Sequence, residues 1–282
     1  MSARWARGTS AVLALARWAN ALTAAAAVFI GAWWAGWTGW RGWSDAEPVA
    51  LAALAAIGLT AAANTWNDLA DIGIDMLIHP ARPLPAQRLS VATADRVGMA
   101  AATIAVVAAS AVSVTLGVCS VIVLALMKLY SPWLKRAGFA GNVLVALLAS
   151  LPFVYGSYAA GAWTVGVPLV LIAAPLHLAR ELAKDLDDRE GDRPHRRTMP
   201  VVAGVRPTRA IMIVALAAFG AALALGLAPQ ARSPRIFVLA LLPAFAVLAV
   251  ATARALRGRS GSPAYFKLAM VCAMAALLVA RV

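Results

Sequence analysis

Residues Asn64 to Pro85 read NTWNDLADIGIDMLIHPARPLP and follow the apolar run LAALAAIGLTAAA. Three aspartates, Asp68, Asp71 and Asp75, therefore stand at the mouth of a segment long enough to cross a membrane. Their spacing is three and then four, so on a helix they share one face. Like charges a turn apart repel. A carboxylate drawn towards hydrocarbon adds a further cost, up to ~2.5–3.5 kcal/mol at the bilayer centre. Such a row needs compensation, and the rest of the chain indicates where it comes from.

Hydrophobic residues make up 62% of the 282 positions, charged residues 13%, and mean hydropathy is +0.79. A soluble domain of this length carries roughly twice that share of charge. Apolar runs near the ~20 residues needed for a helical span recur from end to end. The expected fold class is all-α, a polytopic membrane bundle forming one domain over residues 1–282. Nine helices are expected, at about 18–38, 48–68, 96–116, 118–131, 139–159, 163–184, 207–228, 236–256 and 264–281. The break between the third and fourth is placed at Gly117. Arg4 and Arg7 before an apolar run resemble a signal peptide, but the run is long and further spans follow, so it reads as a retained first span.

The net charge of +13 reads as topology, because no basic run with interleaved aromatics accompanies it; no nucleic-acid partner is expected. With the N-terminus in the cytoplasm, nine spans place 21 of the 25 basic residues on the cytoplasmic side. Arg41, Arg232, Arg235 and Arg281 remain on the other. Trp33, Trp34, Trp37, Trp40 and Trp43 cluster where the first span meets that outer face, as an aromatic belt does. Cys119 and Cys272 lie far apart in apolar runs and imply neither a disulfide framework nor a metal site.

A second acidic stretch, RELAKDLDDREGDRPHRRTMP, runs from Arg180 to Pro200. Asp185, Asp188 and Asp192 repeat the three-then-four spacing at the end of another span. Each row has a similar tail, Arg82-Pro83-Leu84-Pro85 and Arg197-Thr198-Met199-Pro200. Divalent cations would relieve both rows, and all-oxygen ligands suit Mg²⁺, which keeps several waters and shares a phosphate-bearing substrate. Two facing rows therefore predict a metal-bridged polyphosphate between them. Asp187 and Glu190 fall off the acidic face and are expected to be solvated.

The first stretch resembles the N-D-x-x-D-x-x-x-D motif, with its R-P-[LI]-P tail, of the UbiA superfamily of intramembrane prenyltransferases. KDLDDREGD is similar to that family's D-x-x-D-x-x-x-D. MKLYSPWLKRAGFAGN is similar to its Y-S-…-L-K-…-G-N segment. The resemblance implies that Asn67, Asp68, Asp71 and Asp75 hold one Mg²⁺ and that Asp185, Asp188 and Asp192 hold a second. It implies that Arg82, Lys128 or Lys135, and Lys184 neutralise the leaving diphosphate. Tyr130 and Asn142 would line the site, with Asn64 joining them. Lys184 also has a rival reading as a salt-bridge partner within its own row. The donor would be an isoprenyl diphosphate, the acceptor lipophilic and the surroundings membrane lipid. The active site would face the cytoplasm from the cell membrane.

The second motif and its R-T-M-P tail are most similar to those of family members that prenylate geranylgeranylglyceryl phosphate, with geranylgeranyl diphosphate as donor, in ether-lipid synthesis. Members that prenylate aromatic quinone precursors or chlorophyllides remain open, as does, outside the enzymes, a cation transporter. Transporters usually keep ionisable groups near the bilayer midplane, whereas these carboxylates cluster at span ends.

Overall fold

The structure, a computed structural model, describes residues 2–39, 42–130, 138–193 and 196–281, and for residues 2–7, 43, 129 and 130 it describes the backbone. Lys135 and His195 lie outside the described residues, as does the side chain of Tyr130. Thirteen α-helices are described: α1 Ser2–Ala16, α2 Trp18–Trp34, α3 Trp43–Ala70, α4 Ile72–Ile78, α5 Val91–Val112, α6 Val114–Tyr130 and α7 Phe139–Ser150. They continue with α8 Pro152–Ala159, α9 Trp163–Asp192, α10 Met199–Val202, α11 Val205–Ala221, α12 Pro234–Leu256 and α13 Ser262–Val279. A π-helical turn, Ala222–Leu227, and a 3₁₀ turn, Ala228–Gln230, extend α11. No strand occurs among the described residues.

Each of the nine expected segments holds helix, but their lengths differ. Among the described residues, seven helical segments are long and apolar enough to cross a membrane: α3, α5, α7 with α8, α9, α11 with its extension, α12 and α13. The α1–α2 pair makes an eighth if its two helices, bent by 51°, count as one span. Val114–Lys128 of α6 is shorter than a span.

Two compact units are present. The first contains α1, α2 as far as Val28, and α3 to α6. Here α5 packs on α3, and α6 on both. Close approach is possible because the contact residues are small, as is usual between helices in lipid. A side chain at Gly58 of α3 would collide with the Ala101 carbonyl and Ala105 of α5. The α5–α6 break falls at Ser113, not at Gly117. Ser113 is extended (φ −166°, ψ 154°), and its hydroxyl accepts from the Leu116 amide at 3.1 Å. This is a side-chain cap, which starts a helix more effectively than a glycine. Gly117 lies inside α6, where the missing side chain makes room for Ser110 of α5.

The second unit contains residues 29–39 and α7 to α13. Helix α9 is its centre, with α7, α8, α11 and α13 packed on it. Leu169 and Leu182 of α9, Met212, Phe237 and Phe266 are fully buried. Outward positions are apolar as well, for example Val214 and Leu239. In water they would form an unfavourable patch, but against lipid they meet a matching solvent.

Candidate active site

In the first unit α3 ends at Ala70, Asp71 takes a non-helical conformation (φ −98°, ψ 2°), and α4 resumes at Ile72. The Asp71 amide still donates to the Asn67 carbonyl (3.1 Å) and the Asp75 amide to that of Asp71 (2.8 Å). The three-then-four row therefore survives the break on one face. All three carboxylates are buried, with Asp68 3%, Asp71 5% and Asp75 1% exposed. Burial at that level needs counter-charge or hydrogen bonds.

The counter-charge comes from two arginines. Arg17 Nη2 lies 2.5 Å from Asp68 Oδ1. Arg82 Nη1 lies 2.6 Å from Asp75 Oδ2 and 3.7 Å from Asp68 Oδ1. Asn67 Nδ2 donates to Asp71 Oδ2 at 3.1 Å. Arg82 reaches back because its tail is anchored: Leu84 is buried in a cluster with Leu15 and Ala94. Arg17 occupies the α1–α2 break with φ 49°, a conformation uncommon outside glycine. Asn64 Nδ2 donates to the Ala16 carbonyl there at 3.2 Å. Lys128 Nζ lies over the Trp66 ring, 5.3 Å from its centroid.

In the second unit α9 runs unbroken to Asp192, so Asp185, Asp188 and Asp192 share one face. Asp185 is 9% and Asp192 1% exposed. Asn142 of α7 donates through Nδ2 to Asp185 Oδ2 at 2.7 Å. Arg196 Nη1 lies 3.2 Å from Asp192 Oδ1. Lys184 pairs with Glu181 at 3.4 Å, and Glu181 also takes Arg180. Asp187, expected to be solvated, is exposed and also accepts from the Gly261 amide at 2.7 Å and the Ser262 hydroxyl at 3.4 Å. Although exposed, it has the first turn of α13 to bond, so its position off the acidic face serves as a cap.

Residues 8–275 match the UbiA prenyltransferase family. The chain belongs to that family. It is a prenyltransferase and, with its membrane-length helices, an integral membrane protein. A digeranylgeranylglyceryl phosphate synthase from Halobacterium salinarum is 35% identical over 215 residues, covering 74% of each chain. The apo structure of a UbiA homolog from Aeropyrum pernix superposes with a TM-score of 0.78 at 20% identity, covering 92% of this chain and 97% of that one. A UbiA homolog from Archaeoglobus fulgidus bound to DMAPP and Mg²⁺ gives 0.63 at 18% identity, covering 95% and 98%. At those identities the two structural likenesses concern the fold.

Within this UbiA prenyltransferase, the residues singled out in the sequence fall into two groups. Asn64, Asn67, Asp68, Asp71, Asp75, Arg82 and Lys128 belong to the first unit, and Asn142, Lys184, Asp185, Asp188 and Asp192 to the second. The sequence reading paired neither Arg17 with Asp68 nor Arg196 with Asp192, the contacts that the structure shows. Among the described residues no three His, Cys, Asp or Glu side chains converge as a ready metal cage. Mg²⁺ does not need one, since it binds one or two carboxylates and completes its shell with water and phosphate. The oxygen-only carboxylates of both rows fit that ion.

Proposed function

We propose that the chain transfers a geranylgeranyl group from geranylgeranyl diphosphate to the glycerol C2 hydroxyl of geranylgeranylglyceryl phosphate, a step of ether-lipid synthesis. The observation that carries it is the buried row Asp68, Asp71 and Asp75, neutralised by two guanidiniums. Three withdrawn carboxylates beside fixed cations suit a cation-bound polyphosphate and have no use in a passive bundle. The likeness to a digeranylgeranylglyceryl phosphate synthase over three-quarters of each chain supports this acceptor.

Mg²⁺, when bound, would withdraw charge from the diphosphate oxygens and so ease breaking of the bond to the allylic carbon. Asp68, Asp71 and Asp75, with Asn67, are assigned one ion, and Asp185, Asp188 and Asp192 a second. Arg82 sits beside two of the row's carboxylates and is assigned to the departing diphosphate, with Lys128 or Lys135, and Lys184. Asn64, Tyr130 and Asn142 are assigned to the substrate-binding walls. The allylic C–O bond breaks with its electron pair leaving on the diphosphate. The acceptor oxygen then forms the new C–O bond and releases its proton. Apolar walls shield the allylic cation from water. The distribution of basic residues supports a cytoplasmic N-terminus with both acidic rows on that side, and the cell membrane is the proposed location.

The test is a donor–acceptor matrix on purified protein with Mg²⁺. Geranylgeranyl diphosphate is offered with geranylgeranylglyceryl phosphate, an aromatic acid or a chlorophyllide. Product with the glyceryl phosphate alone is expected. Product only with another acceptor would overturn the acceptor assignment.

A further inference from the structure

The second unit has a cavity at the end of α13 remote from the acidic row. Asp187 of α9 caps α13 at Gly261 and Ser262. From there the 18 residues of α13 climb about 27 Å at 1.5 Å per residue, close to a bilayer's hydrocarbon thickness. At the far end lies a cavity of ≈ 420 Å³ lined by Trp33, Trp37, Thr38, Gln230, Arg232 and Arg281. That size is within the range of small-molecule sites.

Its walls are fastened by hydrogen bonds. Trp33 Nε1 donates to the Leu278 carbonyl at 3.3 Å and Trp34 Nε1 to that of Leu277 at 3.0 Å. The Arg232 amide donates to the Ala280 carbonyl at 2.8 Å. Arg281 donates to the Trp34 carbonyl and lies over the Trp34 ring, 5.1 Å from its centroid. Gln230 Nε2 donates to the Gly226 carbonyl at 2.7 Å.

The chemistry is that of an anion site. Arg232 and Arg281 both line one small cavity, and no Asp or Glu lines it among the described residues. Guanidinium is well matched to phosphate oxygens. The nine-span partition of the sequence leaves only Arg41, Arg232, Arg235 and Arg281 on this side, and two of those four share this cavity. The source of the anion is indicated by the flank. Phe29, Leu278 and Val279, beside the cavity residues, are exposed and apolar, as an acyl chain requires, while Trp33 and Trp37 are of the type that sits at headgroup level.

We propose that this cavity binds the phosphate headgroup of an anionic membrane lipid, with its acyl chains along Phe29 and Leu278. The site is separate from the prenyl-transfer site and does not depend on the acceptor assigned above.

The test compares the full-length protein in nanodiscs of phosphatidylcholine alone and with one-fifth phosphatidylglycerol. Unfolding temperature is measured, and retained lipid is identified by native mass spectrometry. The expected result is a rise in unfolding temperature with phosphatidylglycerol and one such lipid retained per chain. Arg232→Gln should lose both effects while keeping the Arg281–Trp34 contact that ties the wall. Arg235→Gln, which removes a charge from the same side but outside the cavity, should retain both. An equal response from Arg232→Gln, or loss in both variants, would overturn the site. Stabilisation by millimolar inorganic phosphate in phosphatidylcholine discs, matching that of phosphatidylglycerol, would overturn the lipid and point to a free anion.

Discussion

Arg17 and Asp68, 51 residues apart in sequence, meet at 2.5 Å, with Asp68 almost wholly buried and Arg17 partly open. One turn earlier on α3, Asn64 holds the carbonyl of Ala16. A single face of α3 therefore grips both the side chain and the backbone of the α1–α2 break. Removing one partner of a buried pair leaves the other charge uncompensated, at a cost of up to ~3–5 kcal/mol. Because Arg17 is partly open to solvent, about 2 kcal/mol is expected for Arg17→Gln. The double variant Arg17→Gln with Asp68→Asn should recover part of that loss. A double-mutant cycle of unfolding temperatures checks this, and additivity of the two changes would count against a coupled pair.

Asp71→Ala and Asp188→Ala should each lower turnover by roughly 10²–10³-fold, the scale of losing one group that stabilises developing charge. Both proteins should remain folded. Turnover with geranylgeranyl diphosphate, measured beside the unfolding temperature, separates the two effects. Near-normal turnover in both would remove the two-row metal site.

Asp187 is next to Asp188 but turned to the start of α13. Asp187→Ala should therefore destabilise by about 1 kcal/mol, as a lost helix cap does, while leaving turnover per folded molecule unchanged. A drop in turnover without a change in unfolding temperature would assign Asp187 to the acidic face after all.

Gly58→Val should destabilise strongly, because its added carbons meet backbone of α5. Gly220→Ala, which faces open space in α11, should instead stabilise by about 0.5–1 kcal/mol through helix propensity. Unfolding temperatures in detergent decide between the two expectations.

The membrane class was readable from composition, and the two aspartate rows from their spacing, because both depend on local sequence. Partners were not readable. Arg17 looks like any basic residue at a cytoplasmic end, and nothing near it in sequence points to Asp68. Asp187 looked like a solvated residue because its partner, Gly261, is 74 positions away. The α5–α6 break was misplaced because Gly117 resembles a helix terminator, whereas Ser113 supplies an oxygen that caps a helix. Gly117 answers to packing against Ser110, which only a tertiary contact reveals. The tail Arg82-Pro83-Leu84-Pro85 was legible as a motif, but Leu84 as its anchor was not.

The length of α9 bears on how the chain is made. Its 30 residues extend about 45 Å at 1.5 Å per residue, against a hydrocarbon core of about 30 Å. Roughly the last ten residues overhang if the helix stands upright. A translocon handling this segment therefore meets the apolar residues 163–176 first and the charged residues, from Arg180 onward, afterwards. On the topology proposed above, it can release the apolar part sideways into lipid while the acidic part stays in water on the side of synthesis. The same continuous helix thus lets a nascent chain carry Asp185, Asp188 and Asp192 without dragging those three carboxylates through the bilayer.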